Sequence, residues 1–72
     1  MCGIIGINSN KPVSATIINS LKKLEYRGYD SAGIATLSKG LINEVKSEGR
    51  VDNLEKNSLV KNMEGKIGIG HV

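Results

Sequence analysis

The second residue of the chain is a cysteine, Cys2, directly after Met1. A small side chain in that position generally permits removal of the initiator methionine, and removal would leave a thiol and a free α-amine on one residue. The two groups ionise close together, at about 7.7–8.0 for an α-amine and about 8.5 for a thiol, so they are matched for proton exchange near neutrality. The chemistry open to such a residue is acyl transfer. Sulfur attacks an acyl carbon while the amine, directly or through water, takes and returns the proton. No histidine base is needed, and Gly3 next door would let backbone and substrate approach closely. The plainer reading makes Cys2 a small buried hydrophobe at the start of a strand. On Cys2 alone the plainer reading is favoured, and with Met1 retained the amine stands on the wrong residue.

Other reactive types are sparse. Arg27 lies in the polar loop Tyr26-Arg27-Gly28-Tyr29-Asp30-Ser31, where by itself it reads as a loop cation paired with Asp30. Asp30 and Ser31 are expected to shape the turn through local side-chain bonds, and Tyr26 and Tyr29 to pack. Gly65-Lys66 and Gly68-Ile69-Gly70 suggest a phosphate loop but satisfy neither the Walker pattern nor the dinucleotide fingerprint. Small residues in a crowded sheet explain them better. One cysteine and one histidine, His71, at opposite ends are a poor basis for a zinc site, which typically wants four ligands. No metal or cofactor is expected.

The elements that must position these residues follow from periodicity. Residues 3–8 are largely apolar and bounded by Asn8-Ser9-Asn10, which suits a buried strand and a turn. Ser9 or Asn10 can cap a helix with Pro12 in its first turn. Val13, Ile17, Leu21 and Leu24, widened by Ile18, then line one helical face. Lys22 and Lys23 fall near its C-terminal end, where the helix dipole favours cations. Gly28 ends the helical pattern. Residues 33–37 read as a strand, Ser38-Lys39-Gly40 as a tight turn, and 41–46 as the return strand of a hairpin. After the break at residues 47–50, a helix is expected from Val51 to about Met63, with Leu59 off its apolar face and Gly65 as a stop. Residues 66–70 alternate as a strand does. The predicted order is strand, helix, strand, strand, helix, strand, an α+β chain without repeats or linkers.

The totals narrow the class. A chain of 72 residues buries only roughly 60% of its unfolded surface, and such domains usually need a staple. Here the single cysteine rules out an internal disulfide. No apolar run approaches the ~20 residues that cross a bilayer, and the start lacks the features of a signal peptide. A lone thiol suits a reducing, cytoplasmic setting. The net charge of +3 comes from ten basic residues spread along the chain. With no basic cluster or nucleic-acid motif, a solvated surface is the reading and no nucleic-acid partner is expected.

Two blocks lift the cysteine above its plainer reading. Met1-Cys2-Gly3-Ile4-Ile5-Gly6, followed by Leu24-Glu25-Tyr26-Arg27-Gly28-Tyr29-Asp30-Ser31-Ala32-Gly33, resembles the opening of the class II glutamine amidotransferases. These are N-terminal-nucleophile hydrolases. Gly49-Arg50-Val51 and Gly65-Lys66-Ile67-Gly68-Ile69-Gly70-His71 fit the same family in order and spacing, so the resemblance spans nearly the whole chain. It implies that Cys2 is the nucleophile that attacks the side-chain amide of glutamine and releases ammonia. It places Arg27 and Gly28 in a loop beside that nucleophile, in a supporting role. It also implies part of a four-layer α-β-β-α sandwich.

His71 matches the histidine opening the family's next motif, which continues with threonine, arginine and tryptophan. Here Val72 stands instead and the sequence ends. The expectation is therefore an N-terminal fragment, residues 1–72, of an amidotransferase domain. The oxyanion-hole and glutamine-binding residues and a sugar-phosphate isomerase half would all lie beyond it. Losing one oxyanion donor typically costs ~10²–10³ in turnover, so the fragment alone is expected to be inactive. Two other readings stay open: a binding subunit that docks on a complementary amidotransferase fragment, and a structural α+β domain with Cys2 merely packed. The apolar faces of residues 3–8, 33–37 and 66–70 want partners, so self-association is also expected.

Overall fold

The computed structural model describes residues 2–28 and 30–72, Arg27 by its backbone alone. The elements are β1 (Ile4–Asn8), α1 (Ser14–Leu24), a turn of 3-10 helix (Glu25–Arg27), β2 (Ser31–Ser38), β3 (Leu41–Glu48), α2 (Val51–Glu55), α3 (Ser58–Lys61) and β4 (Ile67–His71). The strands form one antiparallel sheet in the order β1-β4-β2-β3. The helices lie on one face of it, α1 across β4, β1 and β2, and α2 against β3 and β2. The expected α+β order holds, with one addition: the second helix is two.

That division has a local cause. Asn57 adopts extended backbone angles, and its Oδ1 accepts the Leu59 N–H at 2.8 Å, capping α3 afresh. A side chain that satisfies the backbone this way competes with an uninterrupted helix. Val51, Leu54, Val60 and Met63 still reach the core, and Leu59 is left 65% exposed. The expected cap of α1 is also different. Ser9 Oγ accepts the Lys11 N–H within the preceding turn, no side chain caps the helix, and Pro12 lies before it. Instead the buried Val13 donates its N–H to Gly65 O at 3.0 Å, so a long-range bond fixes where the helix starts. Gly65 is no helix stop. A Cβ there would come within 2.7 Å of Leu37 O, which explains the missing side chain.

The core is one cluster between the layers. Val13, Ile17, Ile18 and Leu21 of α1 meet Ala32 and Ile34 of β2, Val45 of β3, and Val51 and Leu54 of α2. Lys22 ties α1 to α2 at the surface, its Nζ donating to Glu55 Oε1 at 2.7 Å with Asp52 Oδ1 3.7 Å away. The Glu55 bond, aided by the Asp52 charge, holds this ammonium above the ordinary lysine value. The link is exposed, so salt weakens it.

The β2–β3 hairpin pairs Ser38 with Leu41 and turns through Lys39 (φ 53°) and Gly40 (φ 76°). Both central residues have positive φ, as a type I′ turn requires, and Lys39 is an unfavourable residue for it. Lys39→Asn is therefore expected to stabilise the fold by about 1 kcal/mol, because asparagine enters the left-handed region more readily than lysine. A thermal melt monitored by far-ultraviolet circular dichroism should show a rise of a few degrees; a fall would refute the turn assignment.

Among the described residues no helix lies on the opposite sheet face. Ile4, Leu37, Ile42, Ile67 and Ile69 stand there between 43% and 79% exposed. The described residues thus form one helical layer on one sheet.

Candidate active site

Cys2 precedes β1, and Gly3 fixes where it sits. Gly3 and Val72 exchange both backbone hydrogen bonds, Gly3 N–H to Val72 O at 3.2 Å and Val72 N–H to Gly3 O at 3.0 Å, so the ladder with β4 extends to the start of the chain. Gly3 faces the helices, where a Cβ would meet Leu24 Cδ1 at 2.9 Å. The close approach that Gly3 permits is thus with the last residue of α1. Strand alternation then puts Cys2 with Ile4 on the open side. Its thiol is exposed. Within the described residues Cys2 is therefore not the buried residue that the plainer reading expects.

Leu24 leads directly into the 3-10 turn. Gly28 follows with φ 110° and ψ 162°, a combination essentially reserved for glycine, and donates its N–H to Glu25 O at 2.9 Å. Because Leu24 covers Gly3, the segment bearing Arg27 and Gly28 begins beside the strand that Cys2 precedes. The proposed Arg27–Asp30 pairing and the packing of Tyr29 fall outside the described residues. Tyr26 corrects its expectation: it is 78% exposed, carried over the surface by the turn. Backbone shapes the next corner, where the Gly49 N–H donates to Asp30 O at 2.9 Å; among the described residues no side-chain bond of Asp30 or Ser31 does so.

The fold brings the two ends of the chain together. His71 is the direct cross-strand partner of Ile4, two residues from Cys2 and on the same face. Its ring leans the other way, over Gly33 of β2, where a Cβ would lie 3.0 Å from Cδ2. Among the described residues no three metal-binding side chains cluster. No described helix is long and apolar enough to cross a membrane.

Sequence reasoning assigned Glu25 no role, yet it braces this region. It is 8% exposed; Oε2 accepts the Val51 N–H at 2.7 Å and Oε1 accepts from Arg50 Nη2 at 3.4 Å. A carboxylate from the end of α1 therefore caps the start of α2. The signal was available, because Glu25 continues the spacing of four set by Val13, Ile17 and Leu21, which puts an acid on a buried stripe.

No family model matches the chain. It is 54% identical over 71 residues to glutamine–fructose-6-phosphate aminotransferase (isomerizing) from Brucella abortus, covering 99% of this chain. The Rhizobium meliloti enzyme of the same name is 49% identical over the same span. The chain spans 12% of the length of these curated relatives, at their amino-terminal end. Among solved structures it resembles the glutamine phosphoribosylpyrophosphate amidotransferase from B. subtilis, complexed with ADP and GMP. There the TM-score is 0.86 at 25% identity, over 100% of this chain and 16% of that one. Along its whole length the chain matches the amino-terminal region of the glutamine–fructose-6-phosphate aminotransferases, and its fold matches part of an N-terminal-nucleophile glutamine amidotransferase domain.

Proposed function

We propose that Cys2 is the nucleophile of a glutamine amidotransferase and that residues 1–72 are the nucleophile-bearing part of its domain. The observation that carries this reading is an exposed thiol at the head of β1, in a segment so closely related to glutamine–fructose-6-phosphate aminotransferases. With Met1 removed, the Cys2 α-amine accepts the thiol proton as Sγ attacks the side-chain carboxamide carbon of glutamine. The tetrahedral intermediate collapses, the amine returns the proton, and ammonia leaves. Water then cleaves the thioester, giving glutamate and restoring the thiol. Arg27 and Gly28 act as supporting residues, since their turn follows the leucine that packs on Gly3. The oxyanion hole, the glutamine clamps and the isomerase half come from outside residues 1–72. A cytoplasmic setting keeps the thiol reduced.

A second reading has its own observation. The uncovered sheet face favours a docking role, in which the chain completes a site by binding a complementary amidotransferase segment. One experiment tests both. The purified chain is assayed for ammonia release from glutamine, alone and mixed with the complementary amidotransferase segment of the Brucella abortus relative, with intact mass reporting on Met1. Turnover is expected only in the mixture, and Cys2→Ala should lower it by at least about 10³-fold. Undiminished turnover in that variant, or Met1 still attached in the active species, would defeat the nucleophile assignment.

A further inference from the structure

We infer that Gly33 is a positioning residue for the Cys2 thiol: it seats the His71 ring and so keeps that ring off the approach to sulfur. The inference deepens the nucleophile assignment and rests on it for its catalytic meaning. The contact itself joins two residues of this chain and needs nothing above the sheet.

Ile4, His71, Gly33 and Lys46 form one cross-strand row on the face that carries Cys2. Gly3 and Val72 exchange both backbone bonds, so the next pair along, Ile4 and His71, is of the non-hydrogen-bonded kind, whose side chains stand closest. Isoleucine therefore fills the space on one side of His71. On the other side Gly33 has no side chain, and the imidazole takes that place. A Cβ built on Gly33 would fall against Nε2, with Cδ2 at 3.0 Å and Cε1 at 3.3 Å. The backbone there does not call for glycine, because the positive-φ glycines are Gly28, Gly40 and Gly49. The ring does.

What the seat prevents follows from the register. Cys2 precedes Ile4 by two residues, which makes it the diagonal neighbour of His71, about 7–8 Å away and within reach of an aromatic side chain. An imidazole turned off Gly33 into another staggered position swings over β4 toward β1, into that diagonal contact. There it crowds the space through which an acyl group would meet sulfur. Alanine at Gly33 is the smallest change that evicts it. The ring ends a rotatable side chain and His71 is exposed, so it can move while the sheet stays folded.

Alkylation of Cys2 in the purified 72-residue chain tests this, with iodoacetamide as a small probe, N-phenylmaleimide as a bulky one, and intact mass as the readout. Gly33→Ala should react with the maleimide about tenfold more slowly than the parent, and with iodoacetamide at nearly the parent rate. The Gly33→Ala/His71→Ala double variant leaves no ring to displace and should recover the parent rate. Gly6→Ala, on the same face with its nearest neighbour at 3.8 Å, should react like the parent. Circular dichroism should show all three folded. Mixed with the complementary segment of the Brucella abortus relative, Gly33→Ala should raise the KM for glutamine about tenfold, with a smaller change in kcat. Parent-like alkylation of Gly33→Ala overturns the inference. So does slowing that persists in the double variant or appears equally in Gly6→Ala. Unfolding of both Gly33 variants overturns it as well, because the ring would not then be what Gly33 accommodates. A mixture without Cys2-dependent turnover, with the alkylation pattern as expected, defeats the nucleophile assignment alone and upholds the seat of the ring.

Discussion

A chain carrying Gly70→Val is expected to be unfolded at 25 °C. Gly70 lies in β4 on the helix side of the sheet, beneath two fully buried residues of α1. A Cβ at this position would stand 2.5 Å from Ile17 Cγ2 and 3.1 Å from Leu21 Cδ1. Neither can retreat, because both side chains are 0% exposed and hemmed in by the core. Inserting extra methylenes into a well-packed core typically costs about 1–3 kcal/mol and occasionally more, and valine puts three carbons where even the first one clashes. The native margin at about 0.05–0.15 kcal/mol per residue is only roughly 4–11 kcal/mol for a chain of this length. Gly70→Ala should thus survive with a lower melting temperature, and Gly70→Val should lose its cooperative transition. Gly6→Val supplies the contrast. On the open face a Cβ at Gly6 finds its nearest neighbour, Ile69 Cγ2, at 3.8 Å, an ordinary contact. That variant should melt within a few degrees of the parent, or slightly higher, since valine suits a strand better than glycine. Urea titrations of the three variants settle it. A parent-like transition in Gly70→Val would mean that α1 does not rest directly on β4.

The same glycines show what could be read in advance. Ile67-Gly68-Ile69-Gly70 announces a strand by alternation, and assigning its glycines to crowding rather than phosphate binding agrees with their place under α1. The α1 stripe and the hairpin were equally legible, because each depends on residues a few positions apart. What escaped depends on contacts distant in sequence. Ser9 and Asn10 look like caps, but the start of α1 is decided by Val13 bonding Gly65 across the sheet's end. The break at Asn57 is chemically local, yet an asparagine inside a helical pattern becomes a cap only once Val60 and Met63 have been buried. At the site, Cys2 was conspicuous by position and its exposure was not. Exposure follows from Gly3 facing Leu24, which turns its neighbour to the other side.

Glu25→Ala is expected to loosen the start of α2 and the turn behind the thiol while leaving the sheet intact. The Glu25 carboxylate is the partner of the Val51 N–H, the first donor of α2, whose side chain is 0% exposed. Deleting the acceptor strands this donor away from water, which costs about 1–3 kcal/mol, and it also removes the contact with Arg50 Nη2. The loss falls on a helix of five residues, too short to hold itself together. Glu25→Gln keeps one oxygen that can still accept from Val51, so its penalty should be the smaller. Native-state hydrogen exchange distinguishes a local brace from a general stabiliser. Amides of α2 and the Gly28 N–H should lose protection in Glu25→Ala well before those of β2 and β4. The Gly28 bond is to the Glu25 carbonyl, so a change there reports that the turn itself has moved. Uniform loss across the sheet would mean that Glu25 is only a contributor to global stability. Unchanged protection in α2 would mean that the carboxylate does not cap the helix at all.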